Sequence, residues 1–249
     1  VMPSVGLWPV GAQAGEATWS FRCAGGSRSE WSWVVGPPDP SSLQPVRETK
    51  SGRLSRNIPV QAMSTTTGGW LFLESGLEHE LATWLDRQRE VTWLVGQPVL
   101  LRWEDGTKHF PDVLNAHRDG SVTIWDVRAT EERDDTFMVM STRTRAACEK
   151  VSWRYELFGG LDPVAALNLR WIASARRAPE WLTPAKAILQ GVLADGGGSV
   201  GDVIAADDDR GFLTSAMWHL VWSGEIELDL NVPWDQRARL AWATNAVLS

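Results

Sequence analysis

Cysteine is nearly absent: Cys23 and Cys148 are the only two in 249 residues. They stand far apart, in neither a metal-binding pair nor a disulfide framework, which fits a reducing compartment. Long apolar runs are missing too. None approaches the roughly 18 residues that suggest a membrane span, and no leader-peptide pattern opens the chain. The expected location is the cytoplasm, with no membrane partner. Lysine is scarce: of 24 basic residues only Lys50, Lys108, Lys150 and Lys186 are lysines. Arginine, which grips phosphate bidentately, supplies the rest, although a high-GC coding bias produces the same ratio. The net charge of −7 argues against a protein that coats nucleic acid by bulk electrostatics. It does not exclude an enzyme that acts on DNA.

Several familiar motifs are also lacking. His79, His109, His117 and His219 show no His-Glu-x-x-His spacing and are assigned to surface or core. The run Asp207-Asp208-Asp209 lacks the alternating ligands and terminal glutamate of a calcium loop, and reads as a solvated loop. Gly196-Gly197-Gly198 is followed by no Gly-Lys-Ser/Thr, so it is no phosphate loop.

What is present divides the chain in three. Residues 1–63 are rich in Pro, Gly and Ser and lack sustained periodicity, and read as an extended or irregular arm; Trp19, Phe21, Trp31 and Trp33 within it imply that part packs on the body or pairs as a small hairpin. Over 64–160 the pattern turns regular. Leu77, Leu81, Trp84 and Leu85 form one stripe of a helix that starts at Ser75. Strands are expected over Val91 to Val95, Pro98 to Trp103, His109 to His117 and Ser121 to Arg128, then a helix over Asp135 to Lys150 and a strand over Val151 to Phe158. Trp93, Trp103, Trp125 and Trp153 fall in these strands as core candidates. The order predicts an α/β fold, a mixed sheet flanked by helices. Residues 161–249 predict a small, mainly α, winged-helix-like module: helices over Pro163 to Arg177, from the Thr183-Pro184 start, over Ser199 to Ala206 and over Gly211 to Ser223, and a strand over Glu225 to Leu230.

The stretch PDVLNAHRDGSVTIWDVR, Pro111 to Arg128, places two carboxylates and a cation where a hairpin would gather them. If Arg118-Asp119-Gly120 is a three-residue turn with Gly120 in the left-handed position, His117 faces Ser121 and Asp112 faces Asp126. Opposed residues share a face, about 5 Å apart, and Arg128 lies on that face as well. A two-residue turn at Asp119-Gly120 would instead set Asp112 against Val127. Two opposed carboxylates need positive charge between them, and magnesium, a hard cation that takes oxygen ligands, suits that place. Each residue has a plainer reading. Glu78 follows Ser75 at capping-box spacing, Asp112 after a proline suits a turn acceptor, and Asp126 could pair with Arg128 alone.

These segments bear a likeness to a known family. ESGLEHELATWLD (Glu74 to Asp86), VGQPVLLRW (Val95 to Trp103), FPDVLNAHRDGSVTIWDVRA (Phe110 to Ala129) and NLRWIASARR (Asn168 to Arg177) resemble the TnsA-like endonuclease subunits of heteromeric transposases. Those belong to the PD-(D/E)xK, restriction-endonuclease-like nucleases. STTTGGWLFLESGLE (Ser64 to Glu78) is similar to the lead into the family's first helix. The resemblance implies a restriction-endonuclease-like core over 64–160, with Glu78 as the helix glutamate, Asp112 as the aspartate of the PD pair, Asp126 as the acidic residue of D/E-x-K, and Arg128 in place of its lysine. Glu78, Asp112 and Asp126 would hold one or two magnesium ions, for which manganese could substitute. Arg128 is a departure, since arginine keeps its proton and cannot act as a base. Gln97 matches a family glutamine. The implied activity is hydrolysis of double-stranded DNA at the 5' ends of a transposon, alongside a DDE-type transposase and an ATPase regulator. A standalone restriction or repair nuclease and a catalytically weak assembly subunit are the alternatives.

Overall fold

In the segment ATWSFRC, apolar residues alternate with polar ones, the period of a strand with one face buried. That segment is β1 (Ala17–Cys23), and it buries Trp19 and Phe21. The computed structural model describes residues 16–47, 60–194, 196–208 and 210–243. The chain forms two units, Val1–Asp86 with Glu90–Gly160, and Arg87–Arg89 with Leu161–Ser249. No helix of the described residues is long and apolar enough to cross a membrane.

The first unit is mixed α/β. After β1 come β2 (Ser29–Glu30), β3 (Leu43–Gln44), a hairpin of β4 (Val60–Met63) and β5 (Trp70–Leu73), and helix α1 (Gly76–Asp86). Strands β6 (Val91–Gly96), β7 (Val99–Trp103), β8 (Lys108–His109), β9 (Val113–His117) and β10 (Val122–Val127) follow, then helix α2 (Asp135–Lys150) and β11 (Arg154–Phe158). One sheet has the order β2-β1-β7-β8 with β3 also on β1; a second has the order β11-β10-β9-β6. Only β10 and β11 are parallel in the second sheet, and α2 makes the crossover between them.

Where the arm expected over 1–63 is described, it packs on the body and β1 pairs with β2. Residues 16–47 belong to the sheet and core, with Trp19 opposite Leu101 and Phe21 opposite Val99. Trp19, Phe21, Trp33 and Trp153 meet ring on ring. These join Val95, Leu101, Trp103, Leu114, Ile124 and Tyr155 in one core. The reason is the partner strand, some eighty residues away, which supplies the hydrogen bonds that local periodicity does not reveal. The parts of that arm at 1–15 and 48–59 lie outside the described residues.

Two further boundaries move. The strand expected over His109 to His117 breaks into β8 and β9, because Pro111 has no N–H to give a ladder. Gly96 closes β6 where β5 passes; a Cβ there would run into the carbonyl oxygen of Phe72. The hairpin of β9 and β10 pairs Ala116 with Val122 and Val113 with Trp125. His117 N–H donates to Ser121 O at 2.8 Å, and Gly120 takes φ +82°, the three-residue turn.

The second unit comprises α3 (Pro163–Ile172), α4 (Leu182–Val192), β12 (Gly198–Ser199), α5 (Val200–Ala206), α6 (Phe212–Trp222), β13 (Ile226–Glu227) and β14 (Arg239–Trp242). Its sheet has the order β12-β14-β13, all antiparallel. Leu189, Val203, Ala216, Met217, Leu220, Ile226 and Leu240 fill its core. Ser199 and Asp202 form a capping box at α5. Helix α4 begins at Leu182 with Trp181 at its cap, so Thr183 is not the cap. The strand expected over Glu225 to Leu230 is only Ile226–Glu227. Beyond it, the carbonyls of Leu230 and Val232 accept from Asn168 Nδ2 and that of Asp229 from Trp234 Nε1 instead of pairing in a ladder. Asp207 accepts from Thr214 N–H and Asp208 pairs with Arg210 at 3.5 Å, while Asp209 lies outside the described residues.

Candidate active site

A cleft of about 900 Å³ opens where the first turn of α1, the end of β10 and the start of α2 come together. Glu78, Asp112, Asp126 and Arg128 all line it. So do Glu74, Glu132, Asp134 and His109, making six carboxylates against one arginine and one histidine. An anionic substrate meets net repulsion here unless cations come with it.

Helix α1 presents Glu78 at its N-terminal cap, hydrogen-bonded to Ser75 and to the Glu74 backbone. Ser75 Oγ accepts from Glu78 N–H at 3.1 Å, Ser75 Oγ donates to Glu78 Oε1 at 2.9 Å, and Glu74 N–H donates to Oε2 at 2.8 Å. The capping reading and the site reading therefore coexist in one side chain. Glu78 is only 4% exposed, and burial outweighs these hydrogen bonds, pushing its carboxyl above the usual range. Glu74 is held aside by Arg47 at 3.2 Å.

Asp112 follows Pro111 in the gap between β8 and β9. Its N–H donates to Trp125 O at 2.9 Å, and its Oδ2 accepts from Val127 N–H at 2.7 Å. One step along the β9–β10 register from Val113 and Trp125, it falls opposite Asp126. Burial raises the Asp112 carboxyl well above its ordinary value, and the neighbouring charges of Asp126 and Glu78 raise it further. Gln97 braces this point through its backbone. Its N–H donates to Asp112 O at 2.7 Å, from a left-handed φ of +50°. Its side chain is buried, and Oε1 has no hydrogen-bond partner among the described residues.

Asp126 is the most enclosed member, 1% exposed. A carboxylate in a strand interior must be hydrogen-bonded to remain there. The partners are His109, with Nε2 at 2.9 Å from Oδ1 and 2.7 Å from Oδ2, and Tyr155, whose hydroxyl donates to Oδ2 at 2.5 Å. Tyr155 sits opposite Ile124 on the parallel neighbour, so the period of two puts it on the face of Asp126. Burial and the Asp126 charge push the Tyr155 hydroxyl well above its usual range.

The plain Asp126–Arg128 pair does not form: no ion pair joins them among the described residues. Arg128 is exposed, with its guanidinium 5.4 Å from the Phe137 ring centroid, and its carbonyl accepts from Arg133 Nε. His109, assigned to surface or core, is half-buried and its ring engages the Asp126 carboxylate. Spacing rules missed it because its contact spans 17 positions and two sheets. Tyr155, the only tyrosine in the chain, was missed because its contact with Asp126 spans 29 positions.

Among the described residues, no group of three or more His, Cys, Asp or Glu is arranged to hold a metal ion. In chemistry the donors still suit a hard divalent cation, since they are carboxylate oxygens. No protein-family model matches the chain, and no curated protein matches it significantly.

Proposed function

We propose that the chain is a magnesium-dependent DNA endonuclease, and more narrowly the TnsA-like endonuclease subunit of a heteromeric transposase, cutting donor DNA at the 5' ends of the element. The observation that carries this reading is Asp112, whose carboxyl is driven up by burial and by Asp126 and Glu78 in the same cleft. Such a cluster is stable with its charges only if a cation joins it. The element order α1, β6, β9, β10, α2, β11, with β10 and β11 parallel, supports a restriction-endonuclease-like core. The order α4, β12, α5, α6, β13, β14 around the β12-β14-β13 sheet supports a winged-helix reading of the second unit, by analogy of topology. That unit is the element we assign to docking on DNA or a partner.

In this reading Asp112 and Asp126 hold magnesium or manganese, with Glu78 directly or through water. The bound ion would supply the activation of water and the stabilisation of the leaving oxygen that hydrolysis needs. Arg128, at the cleft wall over Phe137, faces the phosphate and stabilises its charge. Tyr155 fixes the Asp126 carboxylate, and the Gln97 backbone fixes Asp112. The acidic cleft makes recruitment necessary, which suits a subunit brought to DNA by a DDE transposase and an ATPase regulator.

The test is a magnesium-dependent nicking assay on transposon-end duplex, with and without those partners. Asp112→Ala and Asp126→Ala are each expected to lower the rate by on the order of 10²-fold or more. Activity that survives both substitutions sinks the site. Activity without partners would favour a standalone nuclease. A catalytically weak assembly subunit has one observation in its favour, the arginine where a lysine would serve as base. That reading predicts complex assembly without cleavage, unchanged by either substitution.

A further inference from the structure

We propose that His109 is a resident competitor for the cation. Its imidazole holds both oxygens of Asp126, and it must withdraw before a divalent ion can be bound there. This inference rests on the metal-dependent reading above.

The geometry of Asp126 carries it. A carboxylate offers about four acceptor positions on its two oxygens. His109 Nε2 faces both oxygens, at 2.9 and 2.7 Å, and Tyr155 takes a second position on Oδ2. The ring thus occupies acceptor positions on both oxygens that an incoming ion would need. Of the three groups, only His109 has room to leave. The side chain of Asp126 is 2% exposed and Tyr155 is buried on β11, in the middle of the core. The His109 side chain is 19% exposed and lines the cleft, at the end of a two-residue strand on the edge of its sheet. The other two candidate ligands are held differently. Asp112 accepts from a backbone N–H, and Glu78 from a backbone N–H and a hydroxyl; neither arrangement brings a ring to the oxygens.

The energetic consequence is a subtraction. The ion gains its contacts with Asp126 only after the His109 contact is lost, so the observed affinity is reduced by the fraction of chains in which the ring has already left. Removing the ring should tighten binding, whereas removing a true ligand would weaken it. The sign of the effect separates the two roles.

Mn2+ is titrated calorimetrically into the full chain, as wild type, His109→Ala, His109→Gln and Asp112→Asn, and thermal melting of the metal-free proteins is recorded beside it. His109→Ala is expected to bind Mn2+ about tenfold tighter or more, to melt lower without metal because Asp126 has lost a partner, and to recover with Mn2+. His109→Gln, which keeps a weaker hydrogen-bond donor, is expected to fall between, and it carries the comparison if the alanine variant does not fold. Equal or weaker Mn2+ binding in the His109 variants, with wild-type binding lost in Asp112→Asn, overturns the competition and leaves the metal site standing. Absence of any Asp112-dependent Mn2+ binding, in wild type and variants alike, overturns the metal-dependent reading itself and this inference with it.

Discussion

The hydroxyl of Tyr155 donates to Oδ2 of Asp126 across the one parallel strand pair of its sheet, at 2.5 Å. The parallel pairing is what α2 makes possible, so the crossover helix, the core and the candidate site all bear on one carboxylate. Tyr155→Phe should leave the packing in place and remove this hydrogen bond together with the hydroxyl's contact to Ser141. A hydrogen bond to a charged group contributes about 1.5–3 kcal/mol, and a loss of that size is expected in urea unfolding at pH 7. An unchanged unfolding midpoint would mean that the contact is absent in solution.

Asp112 gives a pH dependence with a definite sign. Its carboxyl is held well above the ordinary value of 3.8, mainly by burial. Between that value and the raised one, the folded chain binds more protons than the unfolded chain, so this group's contribution to stability falls as pH rises through the window. Glu78, raised from 4.5, acts in the same direction. Asp112→Asn should therefore be more stable than wild type at pH 7 without divalent metal, and the gain should vanish below about pH 3.5. Chemical denaturation at the two pH values measures it; a variant less stable at pH 7 would contradict the assignment.

Glu78 serves helix and cleft together, and two substitutions separate the roles. Glu78→Gln keeps acceptor and shape, so melting should hold or rise while magnesium-dependent nicking falls at least tenfold, roughly the share of one charge contact. Ser75→Ala removes the cap and should cost about 1 kcal/mol. Equal nicking by wild type and Glu78→Gln would leave Glu78 as a cap alone.

Trp19 tests whether the N-terminal strand is part of the fold. It is 3% exposed and packs on Trp33 and Trp153. Trp19→Ala should cost about 3–5 kcal/mol, the usual loss for a buried large aromatic residue. A cost under 1 kcal/mol would restore the view of this segment as a loose arm.

Much of the candidate site was legible because it is local. The Arg118-Asp119-Gly120 turn sets the hairpin register through the left-handed conformation of Gly120, and register determines which side chains share a face. Helix α2 was legible end to end, its start marked by Asp134, whose side chain accepts from Phe137 N–H. The cap of α1 was visible for the same reason, since its partners lie within four residues. Strand β1 was not legible, because the hydrogen bonds that define it come from β7. Strand β14 was too short, at four residues, to show a period.

Sequence alone determined the cap of α1, the spacing of Glu78, Asp112 and Asp126, and the arginine at 128, and it narrowed the hairpin turn to two forms, because each depends on a few adjacent residues. Only tertiary structure decided what surrounds those carboxylates. His109 reaches Asp126 from the edge of one sheet and Tyr155 reaches it from the neighbouring strand of another. Burial then sets the ionisation of Asp112, and burial is a property of the whole packed unit that no short stretch of sequence carries.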